Sequence, residues 1–347
     1  MAKKDILLTG GCGFIGSNAT RYFANRGHSV HILDNLSRNG SSVNLEWLRD
    51  QFNIEFTEGS IRDEAVVDAL VRDHAFDVIL HLAGQVAVTT SVENPRYDFA
   101  VNAGGTFNVL EAVRRHSPDT IVLNASTNKV YGKIDGYEVE ERDRRYAFAN
   151  AEQGISETQP LDFHSPYGCS KGAADQYVED YHAIYDLPTV NFRQSCIYGP
   201  RQFGMEAQGW MAWFVIAHLT DQPITIYGNG KQVRDALYID DLIEGYHRAI
   251  QNIDRVAGES FNVGGGPENT VSLLEFMDIL DWVSDEPVSY DYGEWRPGDQ
   301  QVYVSDTTKF TEATGWAPTT SVDEGIKKLY DWVSRHTTLV AKYEGVA

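Results

Sequence analysis

The sequence predicts an α/β fold, a doubly wound parallel sheet with a smaller mixed α/β lobe, on three observations. Short apolar runs alternate with segments of helical spacing through the first half of the chain. A glycine-rich turn joins the first run to the first helix, and beyond Tyr198-Gly199-Pro200 the alternation breaks up among Gly and Pro. Parallel neighbours need crossover connections, which the alternating helices supply.

The first strand is Ile6-Leu7-Leu8, followed by a helix over 18–26 and a second strand at Val30-His31-Ile32-Leu33. Ile54-Glu55-Phe56, Val78-Ile79-Leu80 and Ile121-Val122-Leu123 read as further strands, with helices over 64–72 and 102–114 between them. A polar stretch over 133–153 is longer than an ordinary connection and reads as a lid or exposed insertion. A helix over 170–185 and a strand at Val190-Asn191-Phe192 resume the pattern, and helices near 272–283 and 322–334 fall in the second lobe.

A chain of 347 residues that is 42% hydrophobic buries a substantial core. Its 50 acidic against 29 basic residues give a formal charge of -21, which repels phosphate backbones and anionic lipid. Nucleic acid and membrane partners are therefore not expected, although arginines focused in one cleft still admit an anionic substrate. No run of 18 apolar residues and no secretory leader appear, so a cytoplasmic location is expected. Cys12, Cys169 and Cys196 make no disulfide framework or CxxC site, and the ten histidines show no HxxxH or HxH pairing, so no metal is expected.

Gly10, Gly13 and Gly16 stand in GxxGxxG spacing directly after the first strand and at the mouth of the first helix. Glycine permits a tight turn and close backbone approach to a pyrophosphate, which the unpaired N–H groups of a helix N-terminus stabilise. Asp34 closes the second strand at the offset of an acid that binds the adenosine ribose and repels a 2′-phosphate, which favours NAD over NADP. Arg38, four residues on, keeps the phosphate reading open. Residues 1–193 are accordingly read as an NAD-binding Rossmann-type domain with 234–257 returning to it, and 194–233 and 258–347 as a substrate lobe. Tyr167-Gly168-Cys169-Ser170-Lys171 has YxxxK spacing, which puts a phenol and an ammonium on one helix face. The neighbouring cation is expected to favour the ionised phenol and make Tyr167 a base.

With Ser126-Thr127 after a strand and Asn102 opening a helix, these motifs make the chain resemble the extended short-chain dehydrogenase/reductase family of nucleotide-sugar enzymes, over nearly all of its length. The resemblance implies that Thr127 bonds the reacting oxygen and that Lys171 also holds the nicotinamide ribose. It implies further cofactor contacts from Phe14, Ile15, Asn35, Ser37, Ser60, Ile61, Leu82, Ala83, Gly84, Gln85, Asn102 and Ser126. Ser195 and Tyr198 are implied to close the nicotinamide side. Ser60 stands where the family has an acid. Arg234 and Arg296 match the pyrophosphate-binding arginines, the alternative being ordinary surface pairing with acids. Asn128, Ser195, Gln208 and Asp299 complete the substrate contacts, with Thr127.

The family's dehydratases carry Asp-Glu after the threonine; this chain has Asn128-Lys129, which argues against elimination. Cys169 reads as a small packing residue, not the cysteine of an enolate route, and His164 as structural. Trp210 and Trp213 are open between ring stacking and core packing. Inversion by transient oxidation remains. The segments 84–91, 126–132, 161–177 and 201–204, with Gln208-Gly209-Trp210, are similar to members that epimerise CDP-sugars at C2. A GDP- or UDP-hexose 2- or 4-epimerase and a non-catalytic NAD-binding regulator stay open, and the family implies a homodimer or homotetramer.

Overall fold

The computed structural model describes residues 2–134, 136–206, 208–296 and 299–342. Among them, seven strands form one parallel sheet in the spatial order Glu55–Glu58, Ser29–Asp34, Asp5–Thr9, Val78–His81, Ile121–Thr127, Thr189–Gln194, Ser260–Val263. Alternate residues of each central strand feed opposite faces. Ile6, Leu8, Val78 and Leu80 join one core with Phe23, Leu48, Leu242 and Tyr246, while Leu7 and Ile79 join another with Leu70, Leu110 and Val113. Helices therefore cover both faces, as a parallel sheet requires. Strand order reverses between Asp5–Thr9 and Val78–His81, so a crevice opens past Thr9 and His81, where this architecture receives ligands.

Local chemistry fixes the helix ends. Asp63 accepts from the Ala65 and Val66 N–H groups at 3.1 and 3.4 Å to start Glu64–Asp73, and Ser272 with Glu275 forms a capping box on Leu273–Ser284. The helix predicted from residue 170 begins at Ser165, because Pro166 is tolerated in a first turn where no N–H partner is needed. That earlier start places both Tyr167 and Lys171 on it. Asn102 does not open an α-helix: it lies in a π-helical turn, Ala100–Gly104, ahead of Gly105–His116. The fifth strand runs on to Thr127, so Ser126 and Thr127 sit on the sheet itself.

The predicted division of the chain shifts at two places. Ser260–Val263, assigned by sequence to the second lobe, is an edge strand of the main sheet; polar Ser260 and Asn262 interrupt its apolar pattern, and all four residues are buried. Conversely Val233–Tyr238 pairs with Cys196–Tyr198, Thr270–Ser272 and Val302–Tyr303 in the smaller sheet, and it is the following helix, Ile239–Gln251, that meets the first helix through Tyr22–Glu244 at 2.6 Å. The polar stretch after residue 133 contains a hairpin, Val139–Glu141 with Tyr146–Phe148. Arg144 and Arg145 clamp it to the lobe through Asp278 and Glu275, each at 2.7 Å; Asp135 lies outside the described residues.

Candidate active site

At the crevice the glycines have distinct duties. Gly10 has φ +70° and a Cβ there would stand 2.8 Å from the Ala83 backbone; a Cβ on Gly16 would stand 2.3 Å from the Gly10 carbonyl oxygen. Gly13 meets only that same oxygen, at 3.3 Å, so the outside of the turn is open. Gly13 is also the N-cap of Phe14–Asn25, with no side-chain cap and no acid in the first turn, which leaves N–H groups and the positive end of the helix facing outward. These features fit a dinucleotide's pyrophosphate. Gly16→Ala is expected to displace the turn, costing about 1–3 kcal/mol of stability by overpacking and losing co-purified cofactor; thermal melting and the absorbance of extracted nucleotide check both.

The cleft beside the turn, about 350 Å³, is lined by Gly10, Gly13, Phe14, Ile15 and Gly16, by Asp34, Asn35, Ser37 and Arg38, by Ser60 and Ile61, and by Leu82, Ala83, Gly84 and Gln85. Asp34 accepts from the Cys12 and Leu36 N–H groups at 3.0 and 2.8 Å, and burial pushes its carboxyl upward against those bonds. Its oxygens retain lone pairs for ribose hydroxyls. The Ser60 hydroxyl is instead engaged by Arg62. Arg38 donates to Gln208 at 2.5 Å, which brings a predicted cofactor contact and a predicted substrate contact together across the cleft. Asn102 does not line the cleft. It exchanges hydrogen bonds with the backbone of Gln85 at 2.9 and 3.1 Å and so positions the segment that does.

The YxxxK pair is buried, Tyr167 and Lys171 being 8% and 7% exposed. A hydrogen bond with Thr127 favours the Tyr167 phenolate, but desolvation outweighs it and pushes the phenol up to about 12. Lys171, expected to favour the ionised phenol, is not among the groups that act on it here: burial and the Asp98 charge raise it and the Thr127 hydrogen bond opposes them. Lys171 donates to the Ala125 carbonyl at 2.6 Å and is itself lowered to about 8 by desolvation, opposed by the charges of Asp175 and Asp98. Ser126 faces away from the cofactor cleft: its hydroxyl donates to Asp175 at 2.5 Å, inside a buried network in which Arg193 meets Asp175 at 2.7 Å.

Several predicted contacts have protein partners of their own. Ser195 bonds buried Asp235, whose carboxyl burial raises to about 6. Asn128 accepts from Thr127 at 3.4 Å. Arg234 pairs with Asp299 at 2.7 Å, and Arg296 lies 3.9 Å over the Tyr227 ring and 3.7 Å from Glu206, so both arginines also satisfy the ordinary pairing alternative. His164 pairs with Asp162 at 2.7 Å. Trp210 packs edge-on against Phe214 and Phe276. Tyr198 is a core residue against Tyr238, not a wall of the cleft. Cys169 is exposed, which corrects the packing reading: on this helix the buried face belongs to Tyr167, Ser170 and Lys171.

Three residues to which sequence reasoning gave no role in the site stand around the same centre: Asp98, Asp175 and Lys129, the last noted only for replacing an acid. Asp98, fully buried, accepts from Gln85 at 2.8 Å and from Asn102 at 3.1 Å and bonds Ser170; nothing local in the sequence announces it. Asp175 does have a signal, since it lies four residues after Lys171 on one helix. Lys129 has no carboxylate within ion-pair distance among the described contacts: its ammonium reaches Gln300 at 3.4 Å, and desolvation, with Arg234 nearby, lowers it to about 8 against Asp299.

The model of the GDP-mannose 4,6 dehydratase family matches residues 7–329. A CDP-paratose 2-epimerase of Salmonella typhi is 45% identical over 334 residues, covering 95% of this chain and 99% of the relative. Solved structures agree. A UDP-glucose 4-epimerase from Thermotoga maritima, solved with UDP-glucose, superposes with a TM-score of 0.83 at 29% identity, over 95% of this chain and 99% of its own. One from Thermus thermophilus, solved with NAD, gives 0.78 at 31% identity, over 94% and 98%. The chain that holds the crevice at the sheet reversal, the open glycine turn and the buried Thr127, Tyr167 and Lys171 belongs to the GDP-mannose 4,6 dehydratase family of the extended short-chain dehydrogenase/reductases.

Proposed function

We propose that this chain is an NAD-dependent nucleotide-sugar epimerase that inverts C2 of a CDP-linked sugar, of the CDP-paratose to CDP-tyvelose kind, by transient oxidation. The observation that carries the substrate is the 45% identity, across nearly both whole chains, to a CDP-paratose 2-epimerase. Bound NAD would supply the hydride acceptor for C2 and return the hydride to the opposite face of the ketosugar.

The chain's own residues do the rest. The open N-terminal turn at Gly13 binds the cofactor diphosphate, and Asp34 takes the ribose hydroxyls and excludes a 2′-phosphate. Tyr167 removes the proton of the 2-hydroxyl as C2 is oxidised and gives it back on reduction, while Thr127 holds that oxygen. A phenol raised to about 12 needs its ionised form stabilised to release a proton near neutrality; the Thr127 hydrogen bond contributes to that, and Lys171, four residues on along the same helix, is the motif's cation. Arg234, steered by Asp299, and Arg296 hold the sugar's diphosphate.

Lys129 extends this substrate site, because a desolvated ammonium without a carboxylate is stabilised by an arriving anion or hydroxyl. Lys129→Met is expected to raise KM about 10- to 100-fold, the worth of one charge-assisted hydrogen bond, with cofactor retention unchanged; steady-state kinetics beside extracted-nucleotide measurements decide it.

A second copy of the chain is the proposed cover for the exposed Phe107, Tyr177, Ile184 and Tyr185, which lie on the helices Gly105–His116 and Ser165–Tyr185. Phe107→Glu is expected to shift the mass measured by light scattering toward the monomer. No helix among the described residues is long and apolar enough to cross a membrane, which is compatible with the proposed work in the cytoplasm.

Incubation with CDP-, GDP- and UDP-sugars followed by proton NMR tests the reading. Conversion at C2 of a CDP-sugar supports it; conversion only at C4 of a UDP-sugar, the reaction named for several structural neighbours, replaces it.

A further inference from the structure

None of His31, Glu55 and His74 lines the cofactor cleft, yet the fold gathers them at one end of the sheet. His31 and Glu55 are direct cross-strand partners in the register of Ser29–Asp34 with Glu55–Glu58, and His74 follows the helix Glu64–Asp73. One ligand atom from each lies within 4.8 Å of the others. The His31 and His74 rings are 5.0 Å apart, and His74 is stacked on Phe76.

The contacts of His31 are lopsided. Its Nε2 is 2.8 Å from the Thr57 hydroxyl, whereas the buried Nδ1 has Glu55 Oε2, 3.2 Å away and poorly aligned for a hydrogen bond, as its polar neighbour. In the tautomer that donates Nε2–H to Thr57, Nδ1 presents a lone pair toward a carboxylate, an arrangement that a cation between them would turn from repulsive to favourable. A second-sphere hydrogen bond on the far ring nitrogen is what fixes the tautomer of a metal-bound histidine.

We propose that His31 Nδ1, a Glu55 carboxylate oxygen and a ring nitrogen of His74 form a site for a divalent transition-metal ion of the zinc type, with water completing the coordination. Two imidazoles and one carboxylate select such an ion over Mg²⁺ or Ca²⁺, which take oxygen ligands. Donors about 3.3 Å apart suit a tetrahedral zinc ion, and rotation of Glu55 and His74, both exposed, closes the remaining gap. The ion would tie together the two strands that end at Asp34 and lead to Ser60, the adenosine end of the cleft. Histidine spacing gave no hint of this, because strand register, not local sequence, makes the cluster.

The test uses untagged full-length protein stripped with EDTA, titrated with Zn²⁺ by calorimetry and with Co²⁺ by visible absorption. One ion per chain is expected, with a melting temperature that rises with free Zn²⁺. Thr57→Val should weaken binding about 10- to 100-fold. His74→Ala, at an exposed position, should abolish it, as should His31→Ala, with the melting temperature of the metal-free protein checking that each variant is folded. Absence of one-to-one binding by the parent chain, or binding undiminished in His74→Ala and His31→Ala, overturns the proposal.

Discussion

Tyr167→Phe is expected to lower turnover about 10²- to 10⁴-fold, the range for losing a positioned acid–base group, while leaving folding and cofactor retention intact. The ring is buried and its hydroxyl faces Thr127, so phenylalanine keeps the packing and removes only the atom that moves a proton. Stopped conversion in the NMR assay, with nucleotide still extracted in proportion to protein, is the predicted outcome. Conversion at the parent rate would remove Tyr167 from the chemistry. Loss of turnover together with loss of cofactor would mean that the phenol serves binding instead. Thr127→Ala should reproduce the defect more mildly, since the hydroxyl orients the oxygen and does not take its proton.

The second large effect is on stability, through Asp175→Ala. Asp175 is fully buried, accepts from Ser126 and faces Arg193, whose side chain is 5% exposed and which also reaches Glu179 at 3.1 Å. Removing one member of such a pair leaves a buried charge without its main partner, a loss of about 3–5 kcal/mol. The network joins the strand bearing Thr127 to the helix bearing Tyr167 and Lys171, so the damage should reach the active centre as well. Asp175→Asn keeps the shape and most of the hydrogen bonding and should destabilise less. Thermal or urea unfolding of the two variants separates the charge from the contact; equal, small shifts in both would show that the network contributes little.

Much of this architecture could be read from the sequence because its signals are local. Strand and helix periods, the GxxGxxG turn, Asp34 at a strand end and Tyr167 four residues before Lys171 each depend on near neighbours along the chain. What was hidden depends on partners distant in sequence. Ser260–Val263 became part of the main sheet although Ser260 and Asn262 blur its pattern, because the edge of the sheet buries them. The raised pKa of Tyr167 is a burial effect that spacing cannot express. Ser126 turned to Asp175, Arg234 to Asp299 and Arg296 to Glu206, and no motif discloses which acid a cation finds. Asn102 supports the Gln85 segment from behind, a role that its place in a π-helical turn makes possible.

Epimerisation of CDP-paratose in deuterated water, followed at C2 by NMR, probes the central proposal most directly. Transient oxidation with return of the same hydride predicts CDP-tyvelose that carries protium at C2 and no net consumption of NAD. Deuterium at C2 would contradict that account and point to proton exchange with solvent during inversion.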